Sequence, residues 1–457
     1  MPSSVAHHQS LGSRAVRWSW DRLQRRAPAA LASVVFVIAG LIYSFWWRSH
    51  IDWGSPTRPV WNSSADIWST FQAAGQIAHG HLSQVYQYHF VAFPGVAFAL
   101  APLAAIASAL NLSADIFPFT SQVFAHPHAW LLLGPYVLIL STLPLFAFDA
   151  LAQRLGADHL TRAFLACAQG VALWSVSIFW GHPEDALAMG LMAYAFLFAL
   201  DGRWNGAAWV YGFAVAFQPL VLAVLPVLLA LAGVKRWSGF AWRAVVPALV
   251  SVLGPLIANF HSTWMALVQQ PNYPTAPANH ETPWTALAPR LHIGVFAVAA
   301  GPGRIVSLVL ACGVGWWAIR WRDRPDLLVW AASLALALRC FTESVMTPYY
   351  VWPALALAMV AATPARSWRF GAVLAAATFV TVSAQWHRAW IVWWLVNMLG
   401  LVVVLVFAGP LRVEDLPASE ATPFATQRKV ASRRSSSTAT ADARNQTTPR
   451  RNRPSRR

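Results

Sequence analysis

AALASVVFVIAGLIYSFWW, residues 29–47, is the first long apolar run of the chain, and it decides how the rest is interpreted. A helix needs roughly 20 mainly apolar residues to cross the hydrocarbon core of a bilayer, and this run is long enough. It is longer than a signal-peptide core and lacks a clear small-residue cleavage site, so we interpret it as a retained first membrane helix. Similar runs follow at 93–111, 129–150, 163–180, 186–201, 207–233, 241–260, 303–319, 326–341, 348–363, 370–384 and 389–409.

The composition of the whole chain also indicates a helical membrane protein. Hydrophobic residues make up 57% of the 457 residues, and charged residues only 11%. Backbone polar groups inside lipid must be hydrogen-bonded internally, and the apolar runs are continuous instead of alternating, which favours helices over a β-barrel. The sequence therefore predicts an all-α, polytopic bundle of about 10–12 transmembrane helices.

The basic residues suggest an orientation in the membrane. The net charge of +16 arises mainly from Lys and Arg at the two ends of the chain and in short loops. This distribution follows the positive-inside rule, so it does not indicate nucleic-acid binding and predicts cytoplasmic termini in the cell membrane. We divide the chain into a basic N-terminus (1–28), a transmembrane domain (29–411) and a basic tail (412–457), whose low apolar content predicts disorder.

Two polar segments, 48–92 and 261–302, are too long to be simple turns. Loops longer than roughly 12–15 residues are commonly functional or disordered, and the Trp, Tyr, His and Pro content here favours order. We expect both segments on the outer face. The first contains an amphipathic stretch that predicts an interfacial helix.

One topological point has two solutions. Strict alternation of all apolar runs places Arg154, Arg162 and Arg203 outside, against the positive-inside rule. A re-entrant pair broken at Pro219, together with one earlier run that does not cross, moves those arginines inside. The turn at 181–185 then lies outside.

Four groups of residues occur along the chain in a recognisable order. They are Asp66, Ala73-Ala74, Gly80, Tyr86 and Pro94; Gly181-His182-Pro183-Glu184-Asp185; Asn279-His280-Glu281-Thr282 with Arg290; and Pro348-Tyr349-Tyr350-Val351-Trp352-Pro353. This order resembles the GT-C superfamily of polyprenyl-phosphate-sugar-dependent glycosyltransferases, most closely the mannosyltransferase-like family 87. The resemblance runs loosely over residues 30–355. Gln218 and Tyr349 depart from it, because the family has Lys and His there.

The resemblance implies an inverting hexosyltransferase of the membrane's outer face. Such an enzyme moves a sugar, mannose or another hexose or pentose, from a polyprenyl phosphate to a cell-envelope glycan or glycolipid. Asp66 is then the base that deprotonates the acceptor hydroxyl, since a desolvated carboxylate has a raised pKa. Its position before an amphipathic stretch fits a helix N-cap equally.

Binding residues are assigned to the remaining polar groups. Arg290, with a planar fork suited to phosphate oxygens, is the first candidate for the donor phosphate, and His280 and Arg304 are the others. Arg290 also fits a snorkelling interfacial arginine. The candidates for substrate and acceptor binding are His182, Glu184, Asp185, Tyr86, Glu281 and Tyr349.

Several polar residues of these groups also fit purely structural roles. Glu184 and Asp185 also suit the first turn of a helix, and Glu343 is spaced to form an ion pair with Arg339. We assign no metal ligands, because the sequence has no dense cluster of carboxylates; a divalent cation remains an option.

Two other kinds of function compete with the transferase. One is a catalytically inactive membrane relative or scaffold, which the Gln218 and Tyr349 departures would permit. The other is a transporter or flippase of envelope lipids, although we find neither paired halves nor a mid-span carboxylate. The expected partners are the lipid-linked sugar donor, membrane lipids and the glycan or glycolipid acceptor, with no nucleic acid.

Overall fold

The computed structural model is a bundle of α-helices. It describes residues 24–43, 66–87, 90, 92–112, 129–268, 272–274, 281–293, 295–299, 301–386 and 389–409. Every apolar run of the sequence contains a helix in this part of the chain. Most of the predicted basic N-terminus and all of the predicted disordered tail, 412–457, lie outside the described residues.

The described residues of the first half of the chain form ten helices. They are α1 (Ala27–Ile42), α2 (Asp66–Ala78), α3 (Gly95–Ala109), α4 (Trp130–Leu140), α5 (Leu143–Arg154), α6 (His159–Trp174), α7 (Pro183–Leu200), α8 (Trp204–Phe217), α9 (Leu225–Ala232) and α10 (Trp237–Ala258). A π-helical turn at Ser175–Trp180 extends α6, and 3₁₀ turns at Pro219–Val224 and Val234–Arg236 precede α9 and α10.

The second half begins with the short helix α11 (Phe260–Val268) and a small sheet. The remaining helices are α12 (Gly301–Ala318), α13 (Pro325–Thr342), α14 (Trp352–Ala361), α15 (Ser367–Ser383) and α16 (Trp390–Ala408). The sheet, which the sequence did not predict, is antiparallel, with β1 (Asn272–Pro274) and β2 (Arg290–Ile293) on either side of β3 (Val295–Ala299).

Within the described residues, seven helices are long and apolar enough to cross a membrane. They are Leu131–Arg154, His159–Trp180, Pro183–Leu200, Val234–Ala258, Gly301–Trp321, Pro325–Thr342 and Trp390–Ala408. Large apolar side chains on α1, α10 and α12 are exposed, among them Val35, Leu249 and Val309. Such surfaces are expected when lipid, and not water, surrounds the helices. The structure thus supports the predicted helical membrane protein.

Ion pairs and hydrogen bonds divide the bundle into two faces. Arg26 pairs with Asp149, near the end of α5, and Arg154 pairs with Asp201, just beyond α7. At the other end of the chain, Arg369 donates to the carbonyl oxygen of Gly409 at 2.8 Å. We call the face where α1 begins and α16 ends the terminal face, and the other the opposite face.

The arginines that raised the topological question belong to the terminal face. Arg162 donates to Asp149, and Arg203 stacks on Phe198 near the end of α7. Helix α6 begins at this face and continues through the π-helical turn to Trp180. The turn at 181–185, which begins α7, therefore lies at the opposite face, as in the second of the two solutions.

Helices α8 and α9 form a hairpin whose tip is Gln218-Pro219. The extended backbone of Gln218 (φ −151°, ψ 116°) ends α8, and the hydroxyl of Tyr211 donates to the carbonyl oxygen of Val221 at 2.7 Å. At the open end, the Arg236 guanidinium lies 5.0 Å from the ring of Trp204. The chain thus leaves the terminal face and returns to it, as predicted for a pair broken at Pro219.

The buried apolar side chains form two clusters. The larger one joins α5 to α9 with α13 to α16, and its centre is α14, which is buried along its whole length. The smaller one joins α2, α3 and α4 near the opposite face, around Trp68, Phe71 and Leu100. Phe217, next to the hairpin tip, packs against both clusters.

Candidate functional site

The opposite face carries a group of connected polar residues that begins where α7 begins. Gly181 ends the π-helical turn with a left-handed backbone (φ 76°, ψ 42°), a conformation that glycine adopts without strain. Pro183 then occupies the first turn of α7, where its missing N–H is not needed. This turn directs Glu184 and Asp185 into the bundle at a helix N-terminus, where the helix dipole favours negative charge.

Both carboxylates are buried and have polar partners. His182 Nδ1 lies 2.6 Å from Glu184 Oε1, and Gln218 Nε2 donates to Asp185 Oδ1 at 2.7 Å. Glu184 is 5% exposed and Asp185 3% exposed. The hairpin tip thus presents an amide to Asp185.

Aromatic rings connect this turn to the start of α14. The ring centroids of His182 and Tyr349 are 4.2 Å apart, and those of Tyr349 and Tyr350 are 5.0 Å apart. The Arg339 guanidinium lies 3.9 Å from the centroid of Tyr350, within the range of a cation–π contact. Tyr349 therefore packs directly on a histidine.

Glu343 connects two arginines at the end of α13. Its Oε1 atom lies 2.9 Å from Arg304 Nε, at the start of α12, and 3.6 Å from a terminal nitrogen of Arg339. Glu343 is fully buried, whereas Arg304 and Arg339 keep 28% and 18% of their side chains exposed. The predicted ion pair of Arg339 with Glu343 is present, and Arg304 is a second cationic partner of Glu343.

Residues 281–285 are held against the same helix end. The Thr282 hydroxyl donates to the carbonyl oxygen of Glu343 at 2.8 Å, and Glu281 forms a β-bridge with Val345. The indole of Trp284 also donates to the carbonyl oxygen of Phe341 at 2.5 Å. Part of the second predicted outside segment therefore covers the end of α13.

We call the connected group the polar cluster. It comprises His182, Glu184, Asp185, Gln218, Arg304, Arg339, Glu343, Tyr349 and Tyr350. Within the described residues, Glu184 Oε2 and Glu343 Oε2 are buried oxygens without a hydrogen-bond partner. Buried acceptors normally find a donor, so these two oxygens are acceptors that the described residues leave unused.

Helix α2, which begins at Asp66, belongs to the small apolar cluster beside this site. Ile67 and Trp68 are buried there together with Leu187, two residues after Asp185. The Asp66 side chain is not among the described parts of the structure. Its backbone starts α2, the position of both the predicted base and the alternative helix cap.

Close backbone packing ties α3 to the hairpin tip. A Cβ atom on Gly95 would lie 2.4 Å from the carbonyl oxygen of Ala216, so only glycine fits there. Tyr86, just before α3, is buried, and its hydroxyl lies 3.4 Å from the carbonyl oxygen of Ala92. Burial raises the pKa of the Tyr86 phenol. Tyr86 therefore packs beside α3, and no described contact joins it to the polar cluster.

The other phosphate candidates are not joined to the polar cluster. Arg290 begins β2 and is exposed, opposite Val298 in the sheet, and no described contact links it to the cluster. His280 lies outside the described residues. Of the three phosphate candidates, Arg304 alone belongs to the cluster as the structure describes it.

Sequence reasoning did not assign Gln218, Arg339, Tyr350 or Glu343 to the site. The Arg339–Glu343 spacing was a usable signal, because residues four apart lie on one helix face. The contact between Gln218 and Asp185 joins residues 33 positions apart and has no local sequence signature.

No group of three or more His, Cys, Asp or Glu side chains suited to a metal ion occurs among the described residues. None of the known protein-family models and none of the curated proteins matches this chain.

Proposed function

We propose that this protein is a membrane glycosyltransferase that takes its sugar from a polyprenyl phosphate and works at the opposite face of the bundle. The observation that carries the proposal is the polar cluster, in which two arginines, three carboxylates and a histidine meet beside the helix that starts at Asp66. The proposal rests on this arrangement together with the resemblance of residues 30–355 to the GT-C superfamily.

The cluster offers the two kinds of group that a lipid-phosphate donor needs. Arg304 and Arg339 would neutralise the phosphate, because guanidinium groups bind phosphate oxygens through charge-assisted hydrogen bonds. Both are partly exposed at the end of α13, so a ligand can reach them. Their shared partner Glu343 fixes the position of both side chains, which lowers the entropy lost on binding.

Glu184 and Asp185 would bind sugar hydroxyls. Carboxylates accept hydrogen bonds, and Glu184 Oε2 has none within the described residues. The ring of Tyr349, stacked near His182, adds an aromatic surface against which a sugar ring can pack. The acceptor is an envelope glycan or glycolipid.

The reaction is a single displacement. The acceptor hydroxyl oxygen attacks the anomeric carbon of the donor sugar as the bond from that carbon to the phosphate oxygen breaks. Asp66 takes the hydroxyl proton, and the polyprenyl phosphate leaves with the bonding electron pair, facing the arginines. Configuration at the anomeric carbon inverts, because attack comes from the side opposite the leaving group.

The deciding variant is Asp66→Asn. Asparagine caps helices about as well as aspartate, so the substitution removes the base and keeps the cap. We expect at least a hundredfold loss of sugar transfer, in line with the contribution of a general base. The assay measures glycan product from a polyprenyl-phosphate sugar and native membrane acceptors.

Asp158→Asn is the matched control. Asp158 caps α6 at the terminal face, where its side chain accepts a hydrogen bond from the backbone N–H of Thr161 at 2.7 Å. This control should keep full activity. Undiminished transfer by Asp66→Asn, with the protein folded, would remove Asp66 as the base and leave it as a cap.

A further inference from the structure

A cavity of about 570 Å³ opens at the terminal face, far from the polar cluster, between the starts of α8 and α10. Four cationic side chains line it: Arg203, Lys235, Arg236 and Arg243. No carboxylate lines it, and no described carboxylate pairs with any of the four. A concave site with four positive charges and no internal counter-ion attracts an anion.

The arginines are held in place by contacts that leave their charge intact. Arg203 lies 4.4 Å from the ring centroid of Phe198, and Arg236 lies 5.0 Å from that of Trp204. Arg243 lies 4.4 Å from the Trp242 ring and donates to the carbonyl oxygen of Gly239 at 2.6 Å. Ring stacking and backbone carbonyls orient a guanidinium without neutralising it.

The backbone adds to the positive potential. Gly206, in the first turn of α8, and Gly239, in the first turn of α10, both line the cavity. The N-terminus of α8 thus faces the cavity, and the N–H groups of a first helical turn favour a phosphate. At Gly239, the absence of a side chain lets the Arg243 guanidinium lie close to the backbone, 3.3 Å from where a Cβ atom would be.

The surroundings identify the occupant as a lipid headgroup. Trp209 and Trp242, one helical turn further along, contact each other at 5.6 Å between ring centroids, and paired tryptophans are typical of the membrane interface. Beyond them, Phe213, Val245 and Leu249 are exposed along α8 and α10. We call these exposed side chains the apolar strip, and acyl chains can pack against them.

We propose that this cavity binds the phosphate headgroup of an anionic membrane lipid, with the acyl chains lying along the apolar strip of α8 and α10. The site is independent of the proposed transferase function. It lies where the hairpin of α8 and α9 opens, so the lipid would brace the hairpin against α10.

The test uses the purified full-length chain in lipid nanodiscs. Phosphatidylcholine discs are compared with discs that also contain phosphatidylglycerol, and the shift in thermal unfolding midpoint is measured as that lipid is titrated. We expect phosphatidylglycerol to raise the midpoint of the natural chain. In the double variant Arg236→Gln/Arg243→Gln the apparent affinity should fall about thirtyfold, at roughly fivefold per charge.

The control is Arg320→Gln/Arg366→Gln, which removes two charges of the same face that do not line the cavity. It should respond to phosphatidylglycerol like the natural chain, and Arg236→Lys/Arg243→Lys should retain most of the response. If phosphatidylglycerol stabilised Arg236→Gln/Arg243→Gln as much as the natural chain, the proposal would be wrong. An equal stabilisation by inorganic phosphate in phosphatidylcholine discs would also overturn it, because the ligand would then be a soluble anion.

Discussion

At the scale of single residues, the terminal face depends on one buried carboxylate. Asp149 is 2% exposed and accepts two hydrogen bonds from Arg162, at 2.8 and 2.7 Å, and one from Arg26 at 2.7 Å. Arg162 is itself buried and also donates to the backbone carbonyl of Arg25. These contacts fix the start of α1 against α5 and α6.

We expect Asp149→Asn to destabilise the protein by about 3–5 kcal/mol, because it leaves Arg162 buried without its counter-charge. The measurement is thermal or denaturant unfolding in detergent. Asp158→Asn serves again as the control, since Asp158 is exposed and asparagine also caps helices. The hydrogen bonds of Thr161 hold the pKa of Asp158 below its usual range, so the natural cap is ionised at neutral pH. If Asp149→Asn changed the free energy of unfolding as little as the control does, this account would be wrong.

The residues of the candidate site were only partly accessible to sequence reasoning. The Arg339–Glu343 pair follows from a spacing of four, but Arg304 lies 39 positions before Glu343, and its role as the second partner depends on how α12 packs on α13. Likewise, only the fold shows that the amide of Gln218 reaches Asp185. Long-range pairings of this kind are set by tertiary packing, which no local pattern encodes.

At the scale of elements, the contact between α12 and α13 decides the geometry of the Arg304–Glu343 pair. A Cβ atom on Gly303 would lie 2.2 Å from the carbonyl oxygen of Thr342, so the two helices can approach only because this position is glycine. Gly313, on the same helix, has open space around its Cβ position.

These two glycines provide a matched pair of variants. We expect Gly303→Ala to cost about 1–3 kcal/mol of unfolding free energy through overpacking, and to lower sugar transfer by displacing Arg304. Gly313→Ala should be neutral or up to about 1 kcal/mol more stable, because alanine favours helix. Unfolding midpoints and product formation are measured side by side. Equal unfolding midpoints and equal product formation in the two variants would show that α12 and α13 can move apart without loss of stability or activity.

Helices were the elements best predicted from sequence. Among the described residues, every helix except α2 and α11 lies largely within a long apolar run. Pro219 marked the break in 207–233, because proline cannot continue a helix without losing a hydrogen bond. The run 93–111 looks like a spanning helix by composition, yet α3 packs along α2. Composition shows that a helix is apolar, but it does not show whether lipid or another helix covers it.

At the scale of the whole molecule, the division into two faces leads to a labelling prediction. Ala286 is exposed beside the polar cluster, and Ser238 is exposed at the start of α10 on the terminal face. If the terminal face is cytoplasmic, as its many arginines indicate, a cysteine at position 286 should react with a membrane-impermeant thiol reagent on intact cells. A cysteine at 238 should react only after permeabilisation.

The parent chain, with its natural cysteines at 167, 312 and 340, gives the background signal in this experiment. Labelling of both introduced cysteines from the same side would contradict the arrangement of the two faces. Labelling of Ser238→Cys alone on intact cells would place the polar cluster in the cytoplasm, where an outer-face transferase could not work.

The length of the α8–α9 hairpin sets how far its tip, and the part of the polar cluster at the tip, lies from the terminal face. Its arms are only about 20 and 24 Å long, from the rise of α and 3₁₀ helices, against about 30 Å for the hydrocarbon core. If the open end of the hairpin lies at one boundary of the core, the amide of Gln218 stops short of the other boundary, and Asp185 meets it at that level. One residue added to α8 would turn the tip by about 100° and lift it by about 1.5 Å. Insertions in the arms are thus expected to disturb the Gln218–Asp185 contact more than substitutions at exposed arm positions such as Phe213.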